Sequence, residues 1–165
     1  MVAQYVSEET GVRCVGDVNE RVRGLEPCLR FDADAYPVVC GGRIHYVVDA
    51  YTTSDRYPDS ERSENGRLFD GGLAGGSFNY VRNSVKAVVD AYDGDVAFYR
   101  MPVEDPLADA WMSAFPDLFT SFDDMPEALR DHLRYPQDLF RVQTNMWARY
   151  QVSDPESLII GTERW

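Results

Sequence analysis

Residues 36–53 read YPVVCGGRIHYVVDAYTT, and this stretch decides the fold class. Gly41 and Gly42 stand between two runs rich in β-branched and aromatic residues. A glycine pair supplies the positive φ angles that a two-residue hairpin turn needs. After the turn, Ile44, Tyr46, Val48 and Ala50 alternate onto one face of a strand, while Arg43, His45, Val47, Asp49 and Tyr51 take the other. The stretch is predicted to be a β-hairpin. A second hairpin is predicted at 84–100, SVKAVVDAYDGDVAFYR, where Asp93-Gly94 gives a type I′ turn signal. There Val85, Ala87, Val89 and Ala91 share one face, and Lys86, Val88, Asp90 and Tyr92 the other.

The word VVDAY occurs in both hairpins, at 47–51 and at 88–92. In the first it follows the turn and in the second it precedes it. A duplicated hairpin would keep the word in one place, so two strands with the same requirements are the better reading.

Working outward, Asp17 and Glu20 form a D-x-x-E helix start, followed by Val18, Val22 and Leu25 at helical spacing. Pro27 is expected to end that helix, because a residue before proline is pushed out of the α region. Residues 54–77 are polar and then glycine-rich, and are read as a long flexible surface loop. Its part at 59–77 is expected to be dispensable for folding. Past the second hairpin the period changes from two to 3.6. Asp105 and Pro106 form an N-cap and first helical position ahead of Leu107, Trp111 and Phe115. Leu129 and Leu133 mark a shorter helix. Leu139, Val142, Met146 and Tyr150, widened by Phe140 and Trp147, mark the longest. Residues 153–156, SDPE, look like one more helix start. Strands followed by helices define an α+β class: an antiparallel sheet of two hairpins packed against C-terminal helices, in a single domain over 1–165. Val48, Ala50, Val89 and Ala91 are expected to face those helices.

The 165 residues can bury about 70% of the surface the unfolded chain exposes. With 28 acidic against 16 basic residues the net charge is −12, which opposes nucleic acid and anionic membrane surfaces as partners. Cys14, Cys28 and Cys40 match no zinc spacing, and whether any two form a disulfide is left open. The first residues, MVAQYVSEETG, carry neither a basic nor an apolar targeting region, and no apolar run reaches membrane-helix length. A soluble domain is expected.

Asp49 and Asp90 are the candidate site residues, since aspartate is poor in strands. Facing each other they could share a proton or hold a metal; the competing reading gives Asp90 the amides of its turn. Residues 31–37 and 90–95 fail the calcium-loop template, the first for want of its glycine and the second through Tyr92. Residues 71–77, GGLAGGS, lack the endings of a phosphate loop or a dinucleotide site. His45 and His132 are far apart and no nucleophile elbow exists. No cofactor and no resident metal is expected.

The runs YPVVCGGRIHYVVDAYTTSDRYP (36–58), NYVRNSVKAVVDAYDGDVAFY (79–99), WMSAFPDLF (111–119) and HLRYPQDLFRVQ (132–143) resemble uncharacterised protein family 0182. The resemblance covers roughly 17–155. Residues 59–77 look like a glycine-rich insertion, and the last ten residues follow the pattern poorly. The resemblance implies a fragment of a large bacterial protein with several membrane spans, this part lying outside the cytoplasm. It implies no site residue. Residues 85–99 are also similar to the closing hairpin of PepSY domains, which implies a regulatory or binding module. Three functions follow as expectations: a non-catalytic domain that binds other parts of its own chain or an envelope protein, a piece of a metal-dependent enzyme using acidic residues, or a small-molecule sensor lined by the aromatic helices.

Overall fold

A computed structural model describes residues 17–25, 28–63, 71–74, 76–150 and, near the C-terminus, 152, 154, 156 and 159. The chain forms α1 (Val18–Leu25), β1 (Arg30–Phe31), β2 (Tyr36–Cys40), β3 (Arg43–Ser54), β4 (Tyr80–Asp90), β5 (Val96–Arg100), α2 (Pro106–Ala114), β6 (Phe119–Ser121), α3 (Glu127–Arg130) and α4 (Gln137–Tyr150). Six strands make one sheet. β1 and β2 both pair with one edge of β3, and β4, β5 and β6 follow in order. All pairings are antiparallel except β5 with β6.

The first hairpin follows its turn chemistry. Gly41 and Gly42 both have positive φ, at 59° and 76°, and Cys40 pairs with Arg43. The second hairpin departs from the expected two-residue turn. β4 stops at Asp90 and β5 starts at Val96, and of the turn residues only Gly94 takes a positive φ. The connection is a longer turn, closed by hydrogen bonds from the Asp90 amide to the Asp95 carbonyl and from the Gly94 amide to the Asp90 carbonyl, 2.9 Å each. A wider turn leaves room for the Asp90 side chain to accept from the amides of Tyr92 and Asp93, at 2.7 and 3.0 Å.

Both faces of the sheet are covered. Val48, Ala50, Val85, Ala87, Val89 and Phe98 meet Val22 of α1, with Leu29 and Phe31. Val47 and Val88, on the opposite face, meet Tyr36, Val38, Met125 and Leu129. The C-terminal helices therefore lie on the face of Val47 and Val88, not on that of Val48, Ala50 and Val89 as expected, and Ala91 belongs to the turn. Burial on both sides removes the polar-out alternation that would have told the faces apart. α1 starts as expected, the Glu20 amide donating to Asp17 at 2.9 Å. β1 and β6 were not foreseen; each is only two or three residues long.

The segment after β3 is not a plain connector at its far end. Leu73 is wholly buried with Tyr51, Phe78 and Val142. A Cβ on Gly72 would stand 1.5 Å from the Phe31 carbonyl oxygen, so the chain closes on β1 where only glycine fits. The far end of 59–77 thus packs as structure through Gly72 and Leu73, where a flexible loop was expected. On α4, Asp138, Val142 and Ala148 are buried while Phe140, Met146 and Trp147 are exposed, so its buried stripe is rotated from the predicted one. The helix start expected at 153–156 and Cys14 fall largely or wholly outside the described residues.

Candidate functional site

The β3–β4 register separates the two candidate aspartates. Val47 pairs with Val88, so the two VVDAY words touch at their first residue and then run apart. Asp90 comes opposite His45 and Asp49 opposite Lys86, four positions along the ladder, or roughly 13 Å. The carboxylates do not meet.

Asp90 is held at the surface. The Arg43 guanidinium donates to both of its oxygens, at 2.9 Å each, and also to Asp93. His45 Nδ1 lies 3.8 Å away. The bond from Arg43, with the turn amides, holds the Asp90 carboxyl well below the usual carboxylate range despite some burial. A carboxylate so fully satisfied is a brace between the two hairpin ends. His132 is elsewhere, its Nδ1 2.7 Å from the Ala128 carbonyl oxygen of α3.

Asp49 belongs to a buried polar cluster whose other members escaped the sequence reading. Lys86 Nζ donates to the Asp49 carboxylate and, at 3.1 Å, to the Arg134 carbonyl between α3 and α4. Both side chains are almost sealed, with 3% of each residue exposed. Burial pushes the Asp49 carboxyl up, and Lys86 opposes it. The Arg134 amide in turn donates to the Tyr36 hydroxyl at 3.1 Å, and burial pushes that phenol up to about 12.

Beside this pair, Asp32 collects a second set of partners. One oxygen accepts from the Tyr51 hydroxyl at 2.5 Å and from the Asp138 amide at 3.0 Å; the other accepts from the Asp34 amide at 3.0 Å. Asp32 thus satisfies an amide in the first turn of α4, where the helix dipole favours a negative charge. Asp138 is fully buried. It accepts from the Leu73 amide at 3.2 Å, while its Oδ1 lies 3.6 Å from the Arg141 guanidinium and makes no hydrogen bond among the described residues. Burial, and then the charge of Asp32, push its carboxyl up.

A fourth buried acid, Asp105, caps α2. It accepts from the Leu107 amide at 3.0 Å, the Tyr80 hydroxyl at 2.8 Å, the Thr52 hydroxyl at 2.5 Å and the Ser84 hydroxyl. Its capping role was legible in the sequence; its three hydroxyl donors were not. Lys86 did give a signal, a lysine inside an apolar run. Naming its partner required the register between hairpins.

Apart from Asp138 Oδ1, these acids are hydrogen-bonded to amides, hydroxyls and one ammonium inside the fold. Among the described residues no group of three or more His, Cys, Asp or Glu side chains is placed to hold a metal. The open feature lies on α4. Tyr135, Gln137, Phe140 and Gln143 line a shallow groove of about 710 Å³. The rings of Tyr135 and Phe140 meet edge to face at 6.5 Å, and the Tyr135 hydroxyl donates to Gln143 at 2.6 Å. Phe140 is 57% and Trp147 66% exposed.

The described residues thus form an α+β domain with a set of buried acids and an exposed aromatic groove. The chain belongs to the uncharacterised protein family UPF0182, which it matches over residues 1–165. It is 47% identical to a UPF0182 protein of Synechococcus sp. (strain JA-3-3Ab) over 165 residues, all of this chain and 18% of the relative. It is 44% identical to one from Nocardioides sp. (strain ATCC BAA-499 / JS614), over 88% of this chain and 15% of the relative. It is 38% identical to one from Methanospirillum hungatei JF-1, over 100% of this chain and 18% of the relative. The chain thus spans less than a fifth of the length of these curated relatives. No solved structure matches it. Among the described residues no helix is long and apolar enough to cross a membrane.

Proposed function

We propose that this chain is a non-catalytic interaction domain of a larger membrane protein, and that its α4 groove docks on another part of the same full-length protein. The observation that carries the reading is the exposure of Phe140, Met146 and Trp147 along α4, with Tyr135 exposed just before it. Exposed apolar patches of this kind mark contact surfaces. The occupant is drawn from the parent chain because the matched relatives are more than five times longer than this domain. The membrane parent, and a position outside the cytoplasm, rest on the family resemblance of the sequence.

The test compares the isolated chain with the full-length protein. Hydroxyl-radical footprinting should label Phe140 and Trp147 strongly in the isolated chain and weakly in the parent. The double substitution Phe140→Ala and Trp147→Ala should leave the isolated chain's stability nearly unchanged and lower that of the parent. Equal labelling in both, with no effect on the parent, would overturn the docking. A reporter enzyme fused after the domain in the full-length protein tests the side of the membrane.

A further inference from the structure

Arg23 and Arg30 line a second, polar cleft of about 400 Å³ with Phe31, Gly71, Gly72 and Ala74. Arg23 stands in the last turn of α1 and Arg30 on β1. The chain has 28 acidic residues for 16 basic ones, so an arginine here has many possible partners. Arg43, Arg100 and Arg141 have taken them. Among the described residues neither Arg23 nor Arg30 has a carboxylate partner. Arg30 is also seated. A Cβ on Gly76 would lie 1.9 Å from its Nη2, so the bare backbone of Gly76 is the surface against which the guanidinium rests.

From this arrangement we infer that the cleft is an anion site that takes a compact phosphate group through the guanidinium groups of Arg23 and Arg30. A guanidinium presents paired N–H donors that match an oxyanion, and two of them suit a doubly charged group. The cleft has the volume of a small-ligand site. Recognition is by side chains and not by a glycine-loop cradle, because the Leu73 amide is already given to Asp138. The phosphate can belong to a soluble ester or to a lipid headgroup; the chemistry at the two arginines is the same. This site is separate from the α4 groove and stands independently of the docking proposed there.

The test is calorimetric titration of the chain with inorganic phosphate and with glycerol phosphate, beside sedimentation with phosphatidylcholine vesicles that contain or lack phosphatidylglycerol. Saturable binding is expected. Arg23→Ala and Arg30→Ala should each weaken it about tenfold or more, the loss expected for a charge-assisted contact. Arg56→Ala, an exposed arginine outside the cleft, should leave it unchanged. Arg23 is exposed, so its variant keeps the test valid even if Arg30→Ala fails to fold. Binding of the small phosphates identifies a soluble ligand, and binding only of phosphatidylglycerol vesicles a lipid headgroup; loss in both cleft variants supports the site either way. No binding to any probe, or binding that survives both cleft substitutions or falls equally in Arg56→Ala, would overturn it.

Discussion

Lys86 and Asp49 face each other across the β3–β4 ladder, and the lysine ammonium is spent on the carboxylate where neither side chain reaches solvent. Breaking such a pair leaves an uncompensated buried charge, whereas replacing both members by apolar residues removes the desolvation cost as well. Lys86→Met is expected to cost about 3–5 kcal/mol, and Asp49→Leu with Lys86→Met to recover most of it. Urea melts of a double-mutant cycle measure this. Additive losses would show that the two charges do not depend on each other.

Asp105 ties the start of α2 to β3 and β4 through three hydroxyls and one amide. Asp105→Ala removes a cap and strands those donors, for an expected loss of about 2–3 kcal/mol. The pH dependence has a definite sign. Burial alone would raise this carboxyl, but the bonds from Ser84, Thr52, Tyr80 and Leu107 outweigh it and hold the group below its ordinary value of 3.8. The folded chain binds that proton less readily than the unfolded one. The stabilisation is therefore present above the ordinary value and lost as the pH falls through the lower folded one. Wild type and Asp105→Ala should converge in stability in acid; a constant gap would contradict the assignment.

Asp138 should behave in the opposite sense. Its carboxyl is raised, so the folded chain holds the proton more tightly. That advantage is present below the ordinary value of 3.8 and fades as the pH rises through the folded one. Asp138→Asn keeps an oxygen for the Leu73 amide and has no proton to lose. Its stability is expected to gain on wild type as the pH rises from about 4 towards neutrality. Parallel curves in a pH series of denaturant melts would remove Asp138 as the titrating group.

Two glycines make a matched pair of tests. Gly72→Ala drives a Cβ into the Phe31 carbonyl, and a loss of about 3 kcal/mol or more is expected. Gly24, in α1, has nothing within 4 Å of its added Cβ, so Gly24→Ala should stabilise by about 0.5–1 kcal/mol. Thermal melts of the two variants should shift in opposite directions.

Much of the fold could be read from residues whose local chemistry leaves few options. Gly41-Gly42 specifies its turn, Asp17 and Asp105 specify helix starts, and runs of β-branched and aromatic residues specify β3 and β4. The polar cluster could not be read this way. Asp32, Lys86 and Asp138 come from distant segments and meet only once the strands are in register and α4 is laid against them. The buried stripe of α4 was misjudged for a related reason. Asp138 occupies an inward position that a hydrophobic pattern cannot register, while Phe140 and Trp147 look like core and lie outside. Asp49 and Asp90 drew notice because they share a word, yet antiparallel pairing sends identical words in opposite directions.

Between Ala50 and Thr52 the register slips: β3 advances two residues while β4 passes from Val85 to Arg82, and Asn83 bonds the Ala50 carbonyl at 3.1 Å. β4 therefore carries one residue more than its partner. Deleting Asn83 would change no buried apolar side chain and would keep Thr52 opposite Arg82 and Ser54 opposite Tyr80, yet it would remove the amide that bonds the Ala50 carbonyl and straighten the bend that the extra residue puts into β4. At this point the shape of the strand is set by the count of its residues rather than by their lettering.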